Sequence, residues 1–114
     1  MLSRRGNDNL QMMKEWMNQY WHSNVEMGEL EILNAPFDMF NLYLTVYGDR
    51  EVRITYDRSL VNLEVKQGNA YEDIRRFLKA GFIDGFASSE KVPFLHNLKI
   101  LDTYLCARQG EKEV

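Results

Sequence analysis

The sequence predicts a single α+β domain with an N-terminal helix, a four-stranded antiparallel meander and two C-terminal helices packed mainly on one face of the sheet. Two patterns lead to this prediction. Apolar and polar residues alternate between residues 40 and 66, which is the period of half-buried strands. On both sides of that stretch, apolar residues recur three and four positions apart, which is the period of an amphipathic helix.

The first helix is predicted from a capping pattern and an apolar stripe. Asp8, followed three residues later by Gln11, resembles a capping box. The apolar stripe consists of Leu10, Met13, Met17, Tyr20 and Trp21. No linker divides the chain, so we expect one domain over residues 1–114 with flexible ends at residues 1–7 and 110–114.

Residues 25–33 are predicted to form the first strand of the sheet. Gly28 interrupts it, and a glycine inside a strand commonly marks a bulge. The alternation after this glycine turns Leu30 and Ile32 towards the core. The residues then expected to face solvent are Glu29 and Glu31.

Parity sets the expected pairing of the next two strands. If their apolar residues share one face, Val46 lies opposite Val52 and Leu44 lies opposite Ile54. This arrangement leaves residues 48–50 as a three-residue loop.

The second loop of the meander is predicted at residues 57–60. The resulting register sets Arg53 opposite Glu64 and Glu51 opposite Lys66, although neither charge pair was used to choose it. Cross-strand pairs of opposite charge contribute roughly 0.2–1 kcal/mol each, so their agreement independently supports the register. The apolar pairs expected in the same register are Ile54–Leu63 and Val52–Val65.

Two helices are predicted after the sheet. Asn69 with Glu72 offers a cap for a short helix that ends at Gly81, with Phe82 placed to pack on Phe77. The last helix is expected over residues 93–108, with an inner stripe of leucines. Its opposite side carries Ile100, Tyr104 and Ala107.

Composition limits the classes of function. The chain has 114 residues, 45% of them hydrophobic, and a net charge of −3, which argues against nucleic acid as a partner. No segment has the roughly 18 uninterrupted apolar residues of a membrane helix, so we expect no membrane partner. The single cysteine, Cys106, excludes an internal disulfide, and a cytoplasmic location is expected.

Catalytic and cofactor motifs are missing from the sequence, so we expect no enzyme, no cofactor and no metal. His22 and His96 fall beside polar helix surfaces and are expected to be solvated. No base accompanies Cys106 in the sequence, so we do not expect it to act as a nucleophile. We expect it to be a small buried residue. An enzyme with a loop-aspartate site remains a further alternative, built from Asp38, Asp57 and Asp84.

Three surfaces are candidates for binding another protein. The outer sheet face is expected to expose Tyr43, Tyr47 and Arg53, and tyrosine and arginine are enriched at interface hot spots. The second candidate is the stripe of Ile100 and Tyr104 on the last helix. The third is the acidic group of Glu26, Glu29 and Glu31, which suits a partner with a basic site.

The leading hypothesis is therefore a small intracellular protein-binding domain. The type that fits best is an inhibitor or immunity protein that neutralises a toxin or other enzyme by occlusion, because the chain is compact, acidic and rich in aromatic residues. The alternative is a structural or assembly subunit, a homo-oligomer that uses Ile100 and Tyr104 as its contact.

Overall fold

A computed structural model of the chain describes residues 1–21 and 24–108. One helix stands at each end of the described chain: α1 spans Arg4–Tyr20 and α2 spans Lys91–Ala107. Between them, five strands form one antiparallel sheet in the order β1-β2-β3-β4-β5. The strands are β1 Val25–Asn34, β2 Met39–Val46, β3 Arg50–Asp57, β4 Leu60–Gln67 and β5 Ala70–Asp73. The predicted α+β class with an antiparallel sheet is confirmed.

The predicted helix between Asn69 and Gly81 is wrong. Gly68 adopts a left-handed conformation, with φ of 65°, and turns the chain back so that β5 pairs with β4. Only a short 3₁₀ turn follows, over Ile74–Arg76, with a second one at Gly85–Ser89 before α2. Within residues 1–21 and 24–108, the sheet therefore has five strands instead of four, and a single α-helix follows it.

Helix α1 begins four residues before the predicted cap at Asp8. The Ser3 hydroxyl accepts a hydrogen bond from the Gly6 amide at 3.1 Å, which is the geometry of an N-cap. Asp38 in turn accepts hydrogen bonds from the amide and the hydroxyl of Ser3, at 2.8 and 2.5 Å. This tertiary contact fixes the helix start, and it places residues 4–7 of the expected flexible end in the first helical turn.

The core lies between the two helices and one face of the sheet. Phe40 and Tyr56 are fully buried at its centre, with their rings stacked at a centroid distance of 4.8 Å. The helices contribute buried methionines from α1 and leucines from α2. The sheet residues of the core are Phe40, Leu42, Leu44, Val46, Val52, Ile54, Tyr56, Val61, Leu63 and Val65. This set matches the face predicted from the alternation.

The pairing of β2 with β3 differs from the prediction by two residues. Val46 lies opposite Arg50 and Leu44 lies opposite Val52, so the loop is residues 47–49. Left-handed conformations at Tyr47 and Gly48 permit this earlier turn. Because a shift of two residues keeps every side chain on the same face, the predicted core survived the wrong register.

The pairing of β3 with β4 is confirmed. Arg53 lies opposite Glu64, and Lys66 Nζ lies 3.3 Å from Glu51 Oε2. The connecting turn contains Arg58 and Ser59, both with positive φ, as a two-residue hairpin turn requires.

Candidate functional site

The outer sheet face, away from the helices, carries a continuous polar network. Glu31 Oε1 accepts hydrogen bonds from Asn41 Nδ2 at 2.9 Å and from the Tyr43 hydroxyl at 2.8 Å. The Thr55 hydroxyl lies 3.0 Å from Asn41 Oδ1 and 2.7 Å from Glu64 Oε1. These contacts run from β1 to β4. Tyr43 therefore holds a strand-to-strand link and is not a free contact group.

Arg53 lies on the same face, where the sequence placed it, and is held on two sides. Its Nε donates to Glu64 Oε1 at 2.5 Å, and its guanidinium carbon lies 4.8 Å from the centroid of the Tyr71 ring. The bond to Glu64 raises the pKa of Arg53 above its ordinary value. Burial raises the pKa of the Tyr71 hydroxyl. The arginine is thus a structural member of the sheet face.

Tyr47 does not lie on the outer face with Tyr43 and Arg53. Its φ of 53° ends the alternation of β2, and its side chain packs partly buried against the core. There the hydroxyl donates a hydrogen bond to the buried carboxylate of Asp102 on α2. Burial and this hydrogen bond raise the pKa of Tyr47 above its ordinary value. Tyr47 ties the β2–β3 loop to α2.

Ile100 and Tyr104 come together as predicted and line an open apolar groove of about 550 Å³. The Tyr104 ring packs on Phe77 at a centroid distance of 5.3 Å, so the chain after β5 covers one side of the stripe. The groove is also lined by Leu78, His96, Lys99, Thr103 and Ala107. The stripe is partly covered within the chain and partly open.

The β1 edge, defined as residues 28–33, is exposed at every position. The predicted bulge at Gly28 is present as a register shift between Met27 and Leu30. Beyond it, Leu30 pairs with Leu42 and Ile32 pairs with Phe40, so both point to the core face as predicted. Their β2 neighbours are buried, whereas Leu30 is 36% exposed and Ile32 is 45% exposed. Opposite residues 30–32 the buried core therefore ends at β2, whereas Val25 and Met27, at the start of β1, still pack against it.

Leu33, at the second bulge, and Phe37, in the turn after β1, are also apolar, and both are at least half exposed. Glu29 lies in the bulge and Glu31 lies on the outer face, opposite Asn41. The hydrogen bonds from Asn41 and Tyr43 lower the pKa of Glu31, so its carboxylate stays ionised at neutral pH. Apolar and acidic groups therefore occupy opposite faces of one strand.

The β1–β2 hairpin, taken as residues 24–46, also has an unusual charge. It contains no lysine, arginine or histidine, and its formal charge of −4 exceeds the −3 of the whole chain. The remainder of the chain is thus +1. The acidic residues of the hairpin are Glu26, Glu29, Glu31 and Asp38. A count of charge along the sequence would have found this asymmetry, which the element-by-element reasoning missed.

A cleft of about 460 Å³ lies between the start of α1, the β3–β4 turn and the segment before α2. The hydroxyl of buried Tyr56 accepts from Asn9 Nδ2 at 2.6 Å and lies 3.3 Å from Ser59 Oγ. These polar groups hydrogen-bond to one another and connect α1 to the β3–β4 hairpin. Sequence reasoning missed the cleft because its walls come from separate elements. The charged and aromatic residues along it are Arg5, Trp16, Phe86, Glu90 and Lys91.

The three loop aspartates each bind a different partner. Asp38 holds Ser3, Asp57 accepts from Arg58 at 2.8 Å, and Asp84 contacts Arg75. Within residues 1–21 and 24–108, no group of three histidine, cysteine, aspartate or glutamate side chains could hold a metal ion. The three carboxylates therefore do not come together into the site that the loop-aspartate alternative required.

The imidazole and thiol groups give no catalytic pairing in the described part of the chain. His96 is exposed, with Nε2 2.6 Å from the Gly81 carbonyl oxygen, while His22 lies outside the described residues. Cys106 is exposed, contrary to the expected burial, although it lies one helical turn after the buried Asp102 and interacts with Tyr47. No helix among the described residues is long and apolar enough to cross a membrane.

No family model, curated protein or solved structure matches the chain.

Proposed function

We propose that the chain is a small intracellular protein-binding domain of the inhibitor or immunity type, which neutralises a toxin or another enzyme by covering its site. The observation that carries this proposal is the β1 edge, where Leu30, Ile32 and Leu33 remain exposed beside a fully packed core. Exposed apolar residues that adjoin one another mark interaction surfaces in soluble proteins. Phe37, in the turn that follows β1, is a further exposed aromatic side chain.

Occlusion requires a rigid surface and no chemistry of its own. The β1 edge meets this requirement because it is joined through β2 to the centre of the sheet. The bonds from Asn41 and Tyr43 also hold Glu31 in place before any partner arrives, which lowers the entropy cost of binding. The edge is thus preorganised for contact.

Replacing Ile32 with lysine tests this surface. The variant places a charge at the centre of the proposed contact, and we expect its inhibition of the partner enzyme to fall at least about 10-fold, since a buried unpaired charge costs several kcal/mol at an interface. The enzyme to assay is the product of the gene adjacent to that of this chain, co-expressed with it. Inhibitory potency and growth protection are the two measurements.

Val92→Lys is the matched control, because Val92 is 76% exposed on α2 and the substitution adds the same charge. Both variants should retain the unfolding midpoint of the original chain to within a few degrees. If the original chain inhibits no adjacent gene product, or if both variants inhibit equally well, the proposal fails.

A second candidate function is a homo-oligomeric assembly subunit, favoured by the open groove at Ile100 and Tyr104. On this alternative, a second copy fills the groove, and Ile100→Lys should convert an oligomer into a monomer. Light scattering on a concentration series gives the mass directly. A mass of one chain at every concentration would remove the alternative.

A further inference from the structure

The open side of β1 specifies how a partner could attach. Among the described residues, only β2 hydrogen-bonds to β1, so one row of its backbone N–H and C=O groups faces outward. Natural proteins usually protect such an edge with lysine, proline or a short strand. β1 has ten residues and contains neither lysine nor proline. Bulges near Gly28 and Leu33 leave Leu30–Ile32 as its regular stretch.

The side chains of that stretch alternate between two chemistries. Leu30 and Ile32 lie on the face that continues the core, and Glu31 lies on the other face. An added strand would place its own side chains beside them with the same alternation. A complementary strand therefore carries apolar residues on one face and basic residues on the other.

Charge favours a basic strand over a second copy of the chain as the partner of the β1 edge. Pairing two β1 edges would bring together two hairpins that each carry −4, and like charges on neighbouring strands are destabilising. The nearby cation Arg53 is already bonded to Glu64. A basic segment instead meets a hairpin whose own sequence carries four acidic residues and no basic one.

We propose that the partner docks by strand addition, pairing an extended segment with alternating basic and apolar side chains along Leu30–Ile32. This inference rests on the proposed function and adds to it the backbone geometry and the charge of the recognised segment. Backbone hydrogen bonds give such a contact its affinity, and the alternating side chains give it specificity.

A synthetic peptide tests the mode of docking without knowledge of the natural partner. The probe is an eight-residue peptide of alternating lysine and valine, capped at both ends and titrated into the ¹⁵N-labelled full chain. We expect amide chemical shifts to change along residues 30–34, with binding at least about 10-fold weaker for the glutamate–valine peptide of the same length. Two N-methylated forms of the peptide are also tested, one methylated at the odd-numbered amides and one at the even-numbered amides. Each form can no longer donate hydrogen bonds from one edge of the peptide, so the form whose methylated edge faces β1 should not bind.

Charge variants of the chain provide a matched comparison. Glu26→Gln combined with Glu29→Gln should weaken binding of the lysine–valine peptide by about 3- to 10-fold. Glu15→Gln, on the exposed side of α1, combined with Glu90→Gln, at the exposed residue before α2, changes the net charge equally and should leave the affinity unchanged. Glu31 is left intact in both because it holds Asn41 and Tyr43.

The outcomes distinguish this inference from the function on which it rests. Strand addition is overturned if the lysine–valine peptide leaves residues 30–34 unshifted, if the glutamate–valine peptide binds as well, or if both N-methylated forms bind normally. A loss of partner inhibition in Ile32→Lys together with any of these results would retain the inhibitor function and reject only the docking mode. Dimers formed through residues 30–34 would show that a second copy is the occupant, and would also overturn the inference.

Discussion

Replacing Phe40 with alanine should lower the free energy of unfolding by about 3–5 kcal/mol, the range for deleting a buried phenylalanine ring. Phe40 is fully buried, and its ring stacks on Tyr56. It also pairs with Ile32 across β1 and β2, so it lies directly beside the proposed contact strand. Since natural domains are stable by only about 5–15 kcal/mol, this single change should remove much of the margin. Urea denaturation followed by circular dichroism measures the loss.

Phe86→Ala is the control for that experiment, because Phe86 is 67% exposed on the surface. It removes the same ring and should change the free energy of unfolding by no more than about 0.5 kcal/mol. Equal effects of the two substitutions would contradict the placement of the core between the sheet and the helices.

Replacing Tyr47 with phenylalanine should destabilise the fold by about 1.5–3 kcal/mol, the range for a hydrogen bond to a charged group. The substitution keeps the ring and removes only the hydroxyl, which donates to the buried Asp102 carboxylate. Tyr20→Phe, at a half-exposed position of α1, should change stability by less than about 0.5 kcal/mol. Chemical denaturation at pH 7 compares the two variants.

Because of the same hydroxyl, we expect the stability of the fold to depend on pH in the alkaline range. The pKa of the Tyr47 hydroxyl is higher in the folded chain than the ordinary value of 10.0. The contribution of this hydroxyl to the free energy of unfolding is therefore complete at pH values below 10.0. As the pH rises above it, the unfolded chain loses the phenolic proton first and stability falls. The stability gap between the original chain and Tyr47→Phe should therefore narrow between about pH 10 and 12. A gap that stays constant or widens over this range would contradict the buried hydrogen bond.

The faces of the sheet followed directly from the sequence because alternation has a period of two. Even the two-residue error between β2 and β3 left Phe40, Leu42 and Leu44 on the buried face. The error came from Tyr47, a bulky residue in a left-handed conformation that sequence preference disfavours. Its hydrogen bond to Asp102, on α2, could not be read from local sequence.

The missing helix between Asn69 and Gly81 shows the limit of periodicity in short segments. Tyr71, Ile74 and Phe77 fit a helical stripe, but residues 70–73 have an available neighbour in β4, and pairing with it satisfies their backbone groups. A four-residue strand and a 3₁₀ turn give an apolar spacing similar to that of one helical turn. The pairing with β4 therefore makes residues 70–73 a strand and not a helix.

The candidate surfaces were predicted unevenly. Ile100 and Tyr104 lie on one helix, so helical spacing alone brought them together. The exposure of Leu30 and Ile32 could not be predicted, since alternation assigns them to the core face and says nothing about how far the helices extend over the sheet. The acidic character of the β1–β2 hairpin was present in the sequence throughout.

Site-specific photo-cross-linking tests most directly whether the β1 edge is where a partner docks. A photoreactive phenylalanine analogue is placed at position 32 in one variant and at position 92 in another, both are expressed in the host cell, and the adducts are mapped by mass spectrometry. We expect position 32 alone to capture one host protein, through a segment with more lysine and arginine than aspartate and glutamate. Capture of the same protein with equal yield from position 92, or no adduct from position 32, would contradict the proposed role of the β1 edge.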